Sequence, residues 1–277
     1  MERNVLHNKS LNDELQKNGF VKLHVLDNVA LQQAYKQIVE VSGSINFSGH
    51  QNQNVDVPYH STFFENSVAY KQAIYDVITE LFVPVFTNHV DNYKIIQASI
   101  FNKPPGSGYV CPHQNLTTVD ETRFMSISVW APLQPTDSTN GTLYFAPGSH
   151  KKFSKYRNHN IGWEPLKVLE SIEDYNMVPV NLNVGEVLIF DDSIVHASPV
   201  NNSDTNRIVF HCLALPQEAH AVYCKKLNDE IEVIEVEDHF WRYFTPGASE
   251  PESPVIKRVK NVSEKYSPTS ILSELRT

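Results

Sequence analysis

Residues 123–133 read Arg123-Phe124-Met125-Ser126-Ile127-Ser128-Val129-Trp130-Ala131-Pro132-Leu133. Met125, Ile127, Val129, Ala131 and Leu133 take every second position, with Ser126, Ser128 and Trp130 between them. A period of two belongs to a β-strand, whose successive side chains leave on opposite faces. One face is therefore expected to pack a core while the other lines something more polar. The same texture runs from residue 93 onward. Short runs rich in β-branched and aromatic residues alternate with Pro, Gly, Asn and Asp clusters, and residues 142–146, 186–190 and 207–215 read as further strands.

Upstream the spacing is helical. Ser10, with Asp13 three residues on, reads as the capped start of a short helix that stops at Gly19, and residues 20–26 follow as a strand. Asp27 is placed to cap a second helix, with Val29, Ala34, Ile38 and Val39 on one side and Ser42-Gly43 at its end. A third helix is expected over 67–82, stopped by Pro84. From about residue 247 the chain mixes Pro, Ser, Glu and Lys without a period and reads as a loosely held tail. Helices first and then many strands give a mainly β fold, a jelly roll with flanking N-terminal helices. The expected organisation is a single domain over 1–277, with a helical part at 10–86, a core at 93–215 and an extension at 216–277.

Composition narrows the partners. The 277 residues are 41% hydrophobic and 20% charged, ordinary for a folded protein. With 23 basic against 32 acidic residues the net charge is -9, and no Lys/Arg block tracks a phosphate backbone, so nucleic acid is not expected. No apolar run approaches a membrane span, and residues 1–18 lack the apolar centre of a signal peptide. Cys111, Cys212 and Cys224 are odd in number and lack CxxC spacing, which points to reduced thiols in the cytoplasm.

Two histidines sit near strand ends. His113 follows a Pro/Gly-rich loop, and His196 follows the run Gly185-Glu186-Val187-Leu188-Ile189-Phe190-Asp191-Asp192. A jelly roll can bring such distant positions face to face. Arg207 opens an apolar run after His196, so a guanidinium projects where it could clamp a carboxylate. Together they read as two imidazoles for a first-row metal beside a cation for an anionic co-substrate. His211, on an apolar strand, reads as a core histidine, Asp120 and Glu121 as loop carboxylates, and Trp130 and Tyr144 as candidate walls of a substrate pocket.

The segment Asn140-Gly141-Thr142-Leu143-Tyr144-Phe145-Ala146-Pro147-Gly148-Ser149-His150, the stretch 185–207, and Asn18-Gly19-Phe20-Val21 followed by Leu26-Asp27 resemble the phytanoyl-CoA dioxygenase family of non-haem Fe(II)/2-oxoglutarate oxygenases. The resemblance covers about residues 11–215. It implies a double-stranded β-helix of the cupin kind, Fe(II) and 2-oxoglutarate as cofactors, O₂ as oxidant and a small-molecule substrate. It further implies that His113 and His196 ligate the metal, that Arg207 grips the distal carboxylate of 2-oxoglutarate with Ser198 assisting, and that Gln97 contacts the co-substrate.

The family's third ligand is a carboxylate two residues after the first His, and this chain has Asn115 there. An amide offers a dipole in place of a charge, so weak Fe(II) binding and slow turnover are expected, with Asn115→Asp raising both. Three readings stay open: a hydroxylase lineage with an amide ligand, a ligand-binding pseudoenzyme, and a halogenase-like enzyme. The last would need chloride in space that the Asn side chain fills.

Overall fold

The computed structural model describes residues 3–43, 49–51, 56–153, 155–158, 177–261 and 273. Three helices come early: α1 (Lys9–Asn18), α2 (Asn28–Ser42) and α3 (Val68–His89). The N-terminal half also carries β1 (Phe20–His24), β2 (His50–Gln51), β3 (Asp56–Val57) and β4 (His60–Ser61). Then follow β5 (Tyr93–Lys103), β6 (Val110–His113), β7 (Ile127–Pro132), β8 (Leu143–Phe145), β9 (Val178–Val180), β10 (Glu186–Asp191), β11 (His196–Ser198) and β12 (Arg207–Pro216). Last come β13 (Ala221–Leu227), β14 (Glu230–Val236), the short α4 (Phe240–Tyr243) and β15 (Val255–Lys260).

Two antiparallel sheets make the jelly roll. The larger has the order β1-β10-β7-β12-β5-β4, the smaller β6-β11-β8-β9. The alternation at 125–133 decides which side of the larger sheet meets what. Ile127, Val129 and Ala131 face the helical layer, packing with Leu31, Ile38, Ile74, Ile78 and Phe82 in one apolar cluster. Trp130 points the other way, into a cluster with Leu143, Phe145, Leu188 and Phe190 that joins the two sheets. Ser126 and Ser128, expected on a more polar face, are both fully buried.

Several expected boundaries move. Asp27 caps α2 by accepting the Ala30 amide at 2.9 Å, and Gly19 ends α1 in the left-handed region, both as read from sequence. The cap of α1, however, is Asn8 and not Ser10: its Oδ1 accepts the Leu11 amide, while Asn12 turns inward to accept the amides of Val5 and Leu6. Pro84 lies inside α3 instead of stopping it. A proline removes one backbone bond, and burial of Phe82 and Val85 on either side of it holds the helix through. The supposed C-terminal tail contains β15, which pairs with β14 and places Arg258 2.7 Å from Glu232. Most of the chain beyond residue 261 lies outside the described residues. No helix among the described residues is long and apolar enough to cross a membrane.

The long loop between β6 and β7 is held by a buried ion pair. Arg157 reaches both carboxylate oxygens of Glu121, at 2.8 and 2.5 Å, with the two side chains 4% and 3% exposed. Its Nε donates to the Asn115 carbonyl at 2.8 Å. Glu121 is thus no solvated loop carboxylate. Burial pushes its carboxyl up to about 7, against the opposing pull of Arg157. Glu121→Ala should leave the guanidinium buried without its carboxylate and cost about 3–5 kcal/mol of stability. Equilibrium urea unfolding measures this, and an unchanged midpoint would contradict the bracing role.

Candidate functional site

The register of the smaller sheet sets the site. β11 lies between β6 and β8, with His196 opposite His113 on one side and Phe145 on the other. The two imidazole centroids are 4.2 Å apart. Each ring places Nδ1 against a carbonyl two residues earlier, His113 to Cys111 O at 2.9 Å and His196 to Ile194 O at 3.0 Å. A carbonyl only accepts, so Nδ1 carries the proton and Nε2 keeps its lone pair, which is the tautomer a metal ligand needs. Burial lowers both pKa values, His196 well below the usual range and further under the influence of His113, so both rings are neutral.

Behind this pair lies a polar chain that the sequence reading missed. Asn115 Nδ2 donates to Asp192 Oδ1 at 2.8 Å and approaches Ser128 Oγ at 3.3 Å. Ser128 donates to the same carboxylate oxygen at 2.5 Å, and its hydroxyl accepts from His211 Nε2 at 2.9 Å. Burial lowers His211 to about 4, so it is a neutral donor lining the cavity and more than a packed core histidine. Asp192 is 0% exposed, and burial raises its carboxyl to about 6. Its Oδ2 has no hydrogen-bond partner among the described residues. Two neutral imidazoles, an amide and a buried carboxylate with one unmatched oxygen leave an excess of negative charge, and that fits a divalent cation.

A second group gathers at the other end of the same cavity. Arg207 and Lys103 face each other across β12 and β5, both about 95% or more buried. Like charges directly opposite on a ladder repel, yet among the described residues no carboxylate lies within ion-pair distance of either. Arg207 rests 5.2 Å above the Trp130 ring, and its Nε has no hydrogen-bond partner among the described residues. Burial lowers it to about 10. Lys103 donates to Ser198 Oγ at 2.5 Å and to Pro199 O at 2.8 Å, and Ser198 passes its own hydrogen to Gly141 O at 2.7 Å. Burial and Arg207 together lower Lys103 to about 5. A buried guanidinium and a buried amine beside a hydroxyl, with no carboxylate partner among the described residues, fit a carboxylate ligand. Lys103 was not anticipated, because a lone lysine reads as a solvated residue. Its trace lies in two glycines: a Cβ at Gly108 would collide with the lysine stem, and one at Gly141 would come 3.1 Å from Nζ.

Both groups line one cavity of about 590 Å³. It brings together His113, Asn115, His196, Arg207, Ser198, Gln97 and Trp130. Gln97 Nε2 donates to Ser99 Oγ on its own strand. Tyr144, expected as a pocket wall, is not among the lining residues. Alternation on β8 turns its neighbour Leu143 inward, and the Tyr144 hydroxyl donates to Ser138 Oγ at 2.6 Å in an exposed position. Phe63, Phe64, Leu116, Leu213, Trp241 and Pro246 contribute apolar wall to the same cavity.

The fold has counterparts among known proteins. In solved structures the fold resembles the non-haem α-ketoglutarate-dependent carbocyclase SnoK of nogalamycin biosynthesis, with a TM-score of 0.59 at 18% identity over 88% of this chain and 94% of that one. It also resembles HygX from Streptomyces hygroscopicus, solved with nickel, 2-oxoglutarate and hygromycin B, with a TM-score of 0.52 at 12% identity over 76% of this chain and 88% of that one. At these identities the likeness is one of fold. Among curated proteins, phytanoyl-CoA dioxygenase domain-containing protein 1 of Danio rerio is 31% identical over 127 residues, 43% of this chain and 44% of that protein. Phytanoyl-CoA dioxygenase 1 of Oryza sativa subsp. japonica is 29% identical over 124 residues, 44% of this chain and 43% of that protein. The matched stretch thus spans less than half the length of these relatives. The family model described as Phytanoyl-CoA dioxygenase (PhyH) matches residues 16–209, well over half of the chain and inclusive of both histidines and the arginine, and the chain belongs to that family.

Proposed function

We propose that this chain is a single-domain Fe(II)- and 2-oxoglutarate-dependent dioxygenase that oxidises a C–H bond of a small organic molecule, most simply by hydroxylation. The observation that carries this reading is one cavity lined both by two neutral imidazoles, each with its Nδ1 turned to a backbone carbonyl, and by the buried Arg207 guanidinium and Lys103 amine, neither of which has a carboxylate partner among the described residues. His113 and His196 would hold the metal, with Asn115 as the third protein ligand. Arg207 and Lys103, with Ser198, would hold the distal carboxylate of 2-oxoglutarate, and Gln97 would flank it. Trp130 fixes the plane of the Arg207 guanidinium from below. When bound, the metal and co-substrate supply oxidative decarboxylation by O₂ and the oxidising power for hydrogen abstraction. The chain's own part is to orient the two ligands and keep water out with an apolar outer chamber. The two basic side chains that line the cavity, Arg207 and Lys103, are both assigned to the co-substrate, so the remaining lining of Phe63, Phe64, Leu116 and Trp241 suits an uncharged, largely apolar substrate. The three cysteines are free, in keeping with a cytoplasmic setting.

Asn115 favours a second reading, a protein that binds 2-oxoglutarate and ligand without turnover. Its anchoring to Asp192 and Ser128 weighs against a halogenase, because chloride would need the space that this held side chain fills. Succinate release that depends on both Fe(II) and an added apolar substrate separates enzyme from binder. Binding of 2-oxoglutarate with no succinate from any substrate would favour the binder.

Arg207→Lys should weaken 2-oxoglutarate at least tenfold in calorimetric titration, because a point charge cannot reproduce the guanidinium fork. Undiminished affinity would remove Arg207 from the assignment. Lys103 gives a pH signature. Its pKa of about 5 leaves it neutral at pH 7 in the free protein, and an arriving carboxylate favours the charged form. Binding should therefore take up close to one proton, and affinity should fall as pH rises above neutrality. Calorimetry in two buffers of different ionisation enthalpy counts that proton, and Lys103→Met should abolish it. Uptake that persists in the variant would assign the proton elsewhere.

A further inference from the structure

Asn115 raises an electrostatic problem that Asp192 is placed to answer. The side chain of Asn115 has one metal-binding atom, Oδ1, and one donor group, Nδ2. The donor group is committed to Asp192 Oδ1 at 2.8 Å and Ser128 Oγ at 3.3 Å. Oδ1 accepts no hydrogen bond from any described residue, and Asn115 lines the same cavity as His113, His196 and Asp192. The orientation of the amide is therefore dictated by the carboxylate behind it.

The main chain fixes the same relation. Asn115 N–H donates to Asp192 O at 2.9 Å, and Asp192 N–H donates to Ser126 O at 3.2 Å. Position 192 is locked between the loop that carries Asn115 and the strand that carries Ser128. The Asp192 side chain is wholly buried, with Oδ2 unmatched. A carboxylate in such a place is costly unless a cation stands nearby. Arg157, the guanidinium on this side, donates to Glu121 and the Asn115 carbonyl, and its charge acts on Asp192 only through space.

We infer that Asp192 is a positioning residue for the metal site, holding Asn115 with its carbonyl oxygen toward the histidine pair and supplying from one residue further out the negative charge that position 115 lacks. This rests on the metal centre proposed above. The hydrogen bond from an amide to a carboxylate polarises the amide, so its carbonyl oxygen becomes a stronger donor to a cation, and the carboxylate's own charge acts across a desolvated gap where screening is weak. The same geometry revises the effect of a single change at 115. Asn115→Asp would set two carboxylates at the present 2.8 Å contact, where like charges raise one pKa and cancel much of the gain.

The test is a titration of the full-length protein with Co(II) without oxidant or substrate, read by visible d–d absorption, which reports occupancy and coordination without turnover. The unaltered protein should show a band that His113→Ala abolishes. Asp192→Asn should weaken Co(II) at least tenfold. The exchange variant Asn115→Asp/Asp192→Asn, which keeps one amide and one carboxylate in contact, should restore binding to the unaltered level or better, and should exceed Asn115→Asp alone. Should Asp192→Asn not fold, the exchange variant decides by itself: weaker binding than the unaltered protein overturns the inference. Equal affinity of Asp192→Asn and the unaltered protein overturns it while leaving the metal centre standing. A band that His113→Ala does not affect, or no band at all, overturns both.

Discussion

The pairing of β11 between β6 and β8 is the constraint on which the rest depends. β11 has three residues and β6 four, so the ladder between them is short, and the pairing of His196 with His113 sits at its end. A shift of one residue would send each imidazole to the opposite face. The register is held from outside the two strands. Asn115 N–H bonds to Asp192 O just beyond the pair, Val195 N–H bonds to Ser149 Oγ, and the Arg157–Glu121 pair fixes the loop that leaves β6. The histidines owe their meeting to these neighbours more than to their own strands.

The polar groups around the cavity share one property: each is a charge or dipole that the free chain would keep in water. The Arg207, Lys103, Asp192, Glu121 and Arg157 side chains are all buried. Such burial is unfavourable unless paired, and among the described residues Arg207, Lys103 and Asp192 have no ion-pair partner, Asp192 feeling Arg157 only through space. The stability that tolerates this comes from the other face, where three helices cover β7, β10 and β12 with an aliphatic layer. One face holds the fold and the opposite face holds unmatched charge, and Ile127 and Ser128, neighbours in sequence, look into those two worlds.

What could be read from sequence follows the same division. The run 125–133 announced its strand because its two faces meet different surroundings, and Asp27 and Gly19 announced helix ends because their local chemistry leaves few alternatives. That His113, His196 and Arg207 would share one cavity was legible only through the resemblance to a family, since spacing by itself did not single them out. β15 was not, since an edge strand exposed on much of its surface has no apolar period to show. Pro84 misled because a local rule was applied where burial of the flanking residues decides. Lys103 and Asp192 were invisible for a deeper reason. Their roles exist only in cross-strand register and loop contact, Lys103 opposite Arg207 and Asp192 against Asn115, and neither relation has a signature along the chain.

Trp241 and Pro246 lie beyond the end of the family match at residue 209, yet both form part of the cavity wall. Trp241 is 2% exposed, anchored by its Nε1 donating to Val222 O, and backed by Tyr223 and Phe244. The part of the cavity that meets the two histidines and the part that closes over them are thus separate stretches of polypeptide. A change at Trp241 or Pro246 can then reshape the cavity wall while the strands that bear the two histidines stay as they are, so the shape of the cavity and its polar groups are set by different parts of the chain.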